Sequence, residues 1–174
     1  YPDAEHIVRI CGDCPLLDPA VIKGIVNHHL SNSWRDYTGL AREWGDGVAD
    51  CEVFTRQALL LADSEATAPH EREHVSPWIW QQPQRFKVSH HPCPFDLSWM
   101  RCSVDTKEDC LYVQMLLEDC LRQHGLSFGW ADVWQAAERN PCMREYMARR
   151  PMNVAYLAQV NAGNNTWSSV RYAP

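Results

Sequence analysis

The sequence predicts an α/β fold built on a mainly parallel sheet with flanking helices. Three observations carry that reading. Short runs rich in β-branched residues alternate with segments of helical periodicity. No internal repeat is visible, and no linker is long enough to divide the chain. Alternating strands and helices bring parallel strands together through helical crossovers. One domain over residues 1–160 and a polar tail over 161–174 account for the chain. Its 174 residues, 45% of them apolar, suffice for a single sizeable core.

Each element has a local cause. "HIVRIC" (6–11) reads as a short buried strand, and "GDCPLLDP" as the loop after it. Asp18 is placed to cap a helix with Pro19 at its first position and Val21, Ile22, Ile25 and Leu30 on its apolar face. "DYTGL" (36–40) and "CEVFT" (51–55) are strands separated by the turn "WGDGVAD", and "RQALLLADSEA" (56–66) is a helix. "HEREHVSPWIWQQP" (70–83) begins helical, with Pro77 starting or kinking a second piece. "RFKVSHH" (85–91) and "WMRCSVD" (99–105) complete the strands. Thr106 and Asp109 form a T-x-x-D capping box, and Gly125 suits the far end of the helix it opens. "GWADVWQAAERNP" (129–141) is a further helix, followed by a weakly helical stretch.

Composition excludes several classes. The formal charge is −6, and Lys23, Lys87 and Lys107 are the only lysines, so no basic stripe exists for a nucleic-acid backbone. The longest apolar run, "ALLLA" (58–62), is far too short to span a membrane. "NNT" (164–166) fits a glycosylation acceptor, a tripeptide common by chance. Several of the eight cysteines sit inside apolar patterns, which points to a reduced, cytoplasmic setting. Cys11 and Cys14 match C-x-x-C, but no second pair completes a zinc site, and Cys11 falls at a strand end instead of a helix start.

Asp13 and Asp105 share one context: each follows a β-rich run and leads into a capped helix. In an open α/β sheet such positions face the crevice where ligands bind. Two carboxylates meeting there suit Mg²⁺, a hard ion held by one or two carboxylates and substrate phosphates. Asp is equally an ordinary turn or cap residue. Arg9 and Glu52 are charged residues within apolar strands, and either an acid-sugar or phosphate contact or a structural ion pair accounts for them. "HEREHV" (70–75) offers Glu73 and His74 to a polar substrate, or forms a solvated helix face.

Four ordered blocks, "IVRICGDCPLLDP", "GDGVADCEVFTRQALLLA", "EREHVSPWIWQQPQRFKV" and "RCSVDTKEDCLYV", together resemble the spore-coat-polysaccharide type of cytidylyltransferase. That group is related to the synthetases of CMP-activated acylneuraminic and 3-deoxy-manno-octulosonic acids. The likeness extends through "FGWADVWQAAERNP" and covers most of residues 6–160. It implies a nucleotide-diphospho-sugar transferase fold of Rossmann-like kind, a homodimer, and transfer of CMP from CTP to a sugar acid with release of pyrophosphate. Asp13 matches the family's acidic position after the strand and Asp105 the aspartate of its "VDT" block, the positions that imply Mg²⁺. Glu52, Arg72, Glu73 and His74 match positions on the sugar side of the cleft. The turn holding Asp46 and Asp50 is one residue longer than the family's Gly-x-Asp-x-Glu turn.

The family also begins with a strand and a Gly/Ser/Arg/Lys loop that cradles the CTP phosphates. Here the eight glycines are dispersed and the only close pair is Gly45 and Gly47. The expectation is therefore an N-terminally truncated piece that binds CTP weakly or not at all by itself. Two rival expectations stand beside the enzyme: a non-catalytic module binding carbohydrate or a protein partner, and a transferase that uses a nucleotide-sugar donor on a related fold.

Overall fold

The computed structural model describes residues 1 and 3–149. The polar tail, the "NNT" tripeptide and the end of the weakly helical stretch lie outside the described residues. Among the described residues, four strands form one sheet: β1 (His6–Ile10), β2 (Tyr37–Leu40), β3 (Cys51–Thr55) and β4 (Val88–His91), in the order β1-β3-β2-β4. Seven described helices accompany them: α1 (Pro19–Leu30), α2 (Arg56–Glu65), α3 (Pro69–His74), α4 (Pro77–Trp80), α5 (Lys107–His124), α6 (Trp130–Glu138) and α7 (Pro141–Arg149).

The α/β alternation is present, but the sheet is mixed and not mainly parallel. β3 runs antiparallel to both β1 and β2, and only β2 and β4 pair in parallel. The cause lies between β2 and β3, where the chain makes one 3₁₀ turn (Arg42–Trp44) and no helix. Parallel neighbours need a crossover of a dozen or more residues, so β3 returns antiparallel. It then lies between β1 and β2, which α1 connects.

Two further strand expectations change. β1 is an edge strand among the described residues, with Val8 and Ile10 42% and 49% exposed, so "HIVRIC" is not buried. Residues 99–105 form no strand; a single parallel bridge joins Asp46 to Arg101. The partner there is the 45–50 turn, too curved to continue a ladder.

The helix signals hold. The Asp18 carboxylate accepts from the Ala20 N–H (2.6 Å) and, through its other oxygen, from the Trp130 N–H (2.9 Å), so one cap ties α1 to α6. Thr106 and Asp109 cap α5 reciprocally, and Gly125 closes it at φ +59°. Ile25, Cys51 and Val53 pack α1 on one face of the sheet; Phe54, Ala58, Ala62, Ile79 and Phe86 pack α2 and α4 on the other. A larger core joins α5–α7 to residues 44–49 and 97–102. The sequence Arg101–Asp105 is thus wedged between the turn after β2 and the start of α5.

Candidate active site

Two loops meet beyond the end of β1. Cys11 N–H donates to the Asp50 carbonyl (3.3 Å), and Val104 N–H donates to the Asp13 carbonyl (2.9 Å). The second bond joins the Asp13 loop to the residue just before Asp105. Both carboxylates lie at the surface: Asp13 is exposed, and the Asp105 side chain is 53% exposed. The two residues singled out for metal binding are therefore carried on neighbouring main-chain segments.

The C-x-x-C pair next to them is chemically quiet. The buried Cys14 thiol donates to Asp13 Oδ1 (3.3 Å) and Asp50 Oδ2 (3.4 Å). Burial first, then the charges of Asp50 and Asp13, push that thiol far above its ordinary range. Burial raises Cys11 to about 11. Neither thiol is a thiolate near neutral pH, the form that attacks or binds metal. All eight cysteines are free.

Behind Asp105 stands Arg101, its side chain only 5% exposed. Its Nη1 donates to Asp46 (2.8 Å), its Nη2 to Asp105, and its Nε reaches Asp109 at 3.5 Å. Asp46 also accepts from Ser103 Oγ (2.8 Å), and its main chain bonds Met100 and Cys102. Asp109 additionally accepts from the Thr106 N–H and hydroxyl and from Tyr146 Oη (2.9 Å). Burial pushes the Asp109 carboxyl up, but the bonds from Thr106, Tyr146 and Arg101 outweigh it and hold the group at about 2. Gly45 and Gly47 have φ near +71° and +74°, and a Cβ on either would overlap backbone of residues 97–103. Their freedom closes this turn against Arg101.

A second hub lies on the sheet. Arg9 and Glu52 face each other in the β1–β3 register, and Arg9 Nη1 donates to Glu52 Oε2 (2.8 Å). Glu52 Oε1 accepts from Tyr37 Oη (2.6 Å) and Ser76 Oγ (2.7 Å). Ser76 is presented by a tight turn: its N–H donates to the His74 carbonyl (2.7 Å) around Val75 at φ +66°, ψ −60°. A β-branched residue pays strain in this γ-turn geometry. Arg9, Glu52 and the segment Arg72–Ser76 are thereby gathered on one side of the sheet. Arg9 is four residues from Asp13, at most about 14 Å along the chain.

The remaining assignments are peripheral to this hub. Arg72 and Glu73 are exposed and His74 half-buried. Arg72 donates to the Asp63 carbonyl (2.8 Å) and carboxylate (3.1 Å), which ties α3 to α2. Sequence reasoning missed Arg101, Ser103, Tyr37, Ser76 and Tyr146; Asp46 and Asp109 were visible only as a turn residue and a cap. Among the described residues, no group of three or more His, Cys, Asp or Glu could hold a metal ion on its own.

Comparison with known proteins resolves the family. The profile described as "Cytidylyltransferase" matches residues 1–140. The chain belongs to the cytidylyltransferase family. An uncharacterized protein of Methanocaldococcus jannaschii is 37% identical over 118 residues, which is 66% of this chain and 47% of that protein. A cytidylyltransferase structure from Leptospira borgpetersenii serovar Hardjo-bovis matches with a TM-score of 0.71 at 26% identity, covering 87% of this chain and 62% of that one. The chain thus spans about half the length of the curated relative and under two thirds of the solved one. No described helix is long and apolar enough to cross a membrane.

Proposed function

We propose that this chain carries the cation-binding carboxylates and the sugar-side wall of a cytidylyltransferase site. The reaction moves CMP from CTP to the hydroxyl of a sugar acid of nonulosonic type and releases pyrophosphate, in surface polysaccharide synthesis of the spore-coat kind. The protein acts in the cytoplasm as a homodimer. One observation carries the reading: the Val104–Asp13 main-chain bond sets two surface carboxylates, Asp13 and Asp105, on adjoining loops.

The donor set suits Mg²⁺. Two carboxylates, with no third such side chain grouped with them among the described residues, leave coordination positions for water and phosphate oxygens, the pattern this ion prefers. Asp13 and Asp105 are the residues that would hold it. When bound, Mg²⁺ supplies neutralisation of the nucleotide phosphates during in-line displacement. Arg9, fixed by Glu52 and 31% exposed, offers a guanidinium to the carboxylate of the acid sugar. Glu52, with both oxygens engaged, contributes by orienting Arg9 and Ser76. Arg72, Glu73 and His74 form the rim of the sugar side. Catalysis rests on positioning and electrostatics, with no covalent intermediate.

The test is pyrophosphate release and CMP-sugar formation by the complete protein with CTP and a panel of nonulosonic acids. Asp105→Asn is expected to lower turnover by orders of magnitude while leaving the circular dichroism spectrum unchanged. Near-normal product formation by that variant would refute the assignment.

A second reading, a non-catalytic binding module on the same fold, has one observation in its favour. Gly45 and Gly47 are packed against residues 97–103 and serve the turn, so this pair is no phosphate cradle. Calorimetric titration with CTP and with the sugar acids separates the readings. Sugar binding without CTP binding in the complete protein supports the module.

A further inference from the structure

We infer that Arg101 is a positioning residue that presents the Asp105 carboxylate to the cation, acting through hydrogen-bond geometry while its charge is absorbed by Asp46 and Asp109. This rests on the proposed function, since it takes Asp105 as a ligand. Three features of the hub lead to it.

First, the guanidinium is fixed before it reaches Asp105. Its Nη1 and Nε are occupied by carboxylates from two different segments, the turn after β2 and the first turn of α5, and its side chain is almost fully buried. A planar fork held on two sides leaves its third edge in one direction, and that edge is the Nη2 that donates to Asp105. Asp105 itself is half-exposed and on a loop, so without this contact its rotamer is free.

Second, an unscreened arginine beside a metal ligand repels the metal. Among the described ion pairs, one guanidinium meets three carboxylates, a formal balance of −2. The inner two carboxylates offset its charge, so Asp105 is oriented without losing its attraction for a cation.

Third, the hub is braced. Tyr146 of α7 and Thr106 bond Asp109, and Ser103 bonds Asp46, so each inner carboxylate is held by a second donor. Groups that hydrogen-bond a metal-ligating carboxylate typically change metal affinity by about 10- to 100-fold when removed. Lysine keeps the charge but lacks the fork, and cannot meet three carboxylates in one plane.

The experiment is a Mn²⁺ titration of the ¹⁵N-labelled protein, reading paramagnetic broadening of the amides at Gly12–Cys14 and Val104–Thr106. In the wild type both segments broaden together. Arg101→Lys is expected to raise the midpoint at least about tenfold, with amides distant from the two loops unshifted. Asp105→Asn is expected to abolish the effect, and the double variant to be no worse than Asp105→Asn. If Asp105→Asn loses Mn²⁺ while Arg101→Lys retains the wild-type midpoint, the positioning role falls and the metal reading survives. If Asp105→Asn binds Mn²⁺ as the wild type does, both fall. Should Arg101→Lys fail to fold, Asp109→Asn decides: a midpoint raised several-fold supports the inference, and an unchanged one overturns it.

Discussion

Glu52 and Arg101 are inverse solutions to one problem, a charge placed inside a small domain. Glu52 is a single anion met by one cation and two hydroxyls, so its charge is balanced and both of its oxygens are engaged. Among the described ion pairs, Arg101 is a single cation whose three nitrogens each meet a carboxylate, so negative charge remains. The surplus emerges through Asp105, which is half-exposed, beside the loop of Asp13. Counting charge, and not merely counting ion pairs, separates the hub that completes a structure from the hub suited to a cation.

The largest expected effect comes from breaking the Arg101 hub. Arg101→Met strands two buried carboxylates and should cost about 4 kcal/mol in urea denaturation at pH 7, in the range for removing one partner of a buried pair. Because the stranded groups prefer to be protonated, the cost should shrink as the pH falls toward 4; a cost independent of pH would contradict the surplus of negative charge. Glu52→Ala should cost less, about 3 kcal/mol, since water reaches the partly exposed Arg9 left behind.

A neutral polar network provides the control. His29, on the buried face of α1, sits between Thr38 Oγ1 (2.9 Å) and His6 Nδ1 (3.1 Å) and is 1% exposed. Burial first, then the charges of His6, Arg35 and His28, opposed only by Asp36, lower it to about 4. The unfolded chain therefore takes up the proton first. Stability from this group is complete above pH 6.5 and is lost as the pH falls toward 4, by about 2 kcal/mol at pH 5. His29→Gln should flatten that slope. Asp109 works in a lower window: its contribution persists above pH 3.8 and fades only toward pH 2. A slope between pH 6.5 and 4 that survives in His29→Gln would contradict the assignment of that acid sensitivity to His29. Smallest is Arg72→Ala, which breaks an exposed pair and should change stability by less than about 0.5 kcal/mol. A raised KM for the sugar acid with unchanged kcat would mark Arg72 as part of the substrate rim.

Much of the local structure was legible because its causes are local. Asp18–Pro19, Thr106–Asp109 and Gly125 each act within one helical turn, and each is found where the residue types place it. The mixed sheet was not legible. Whether β3 runs parallel or antiparallel depends on the single 3₁₀ turn that replaces a crossover helix, and alternation alone does not reveal it. "WMRCSVD" has the alternation of a strand, yet its neighbour is a curved turn with two positive-φ glycines, so only one bridge forms. Asp13 and Asp105, the proposed cation ligands, were singled out from their matching contexts after β-rich runs. Arg101 could not be: Asp105 and Asp109 lie four and eight residues on, but the helix begins only at Lys107 and Asp46 comes from a distant turn, so only the folded chain brings the three to one guanidinium.

The central claim is that Asp13 and Asp105 share one divalent cation. The direct measurement is the anomalous difference map of crystals grown with Mn²⁺. The account predicts one peak between the two loops, with an oxygen of each carboxylate at about 2.1 Å and the remaining positions filled by water. A peak bound by only one of the two, or a cation seated elsewhere while both carboxylates face solvent, would contradict it.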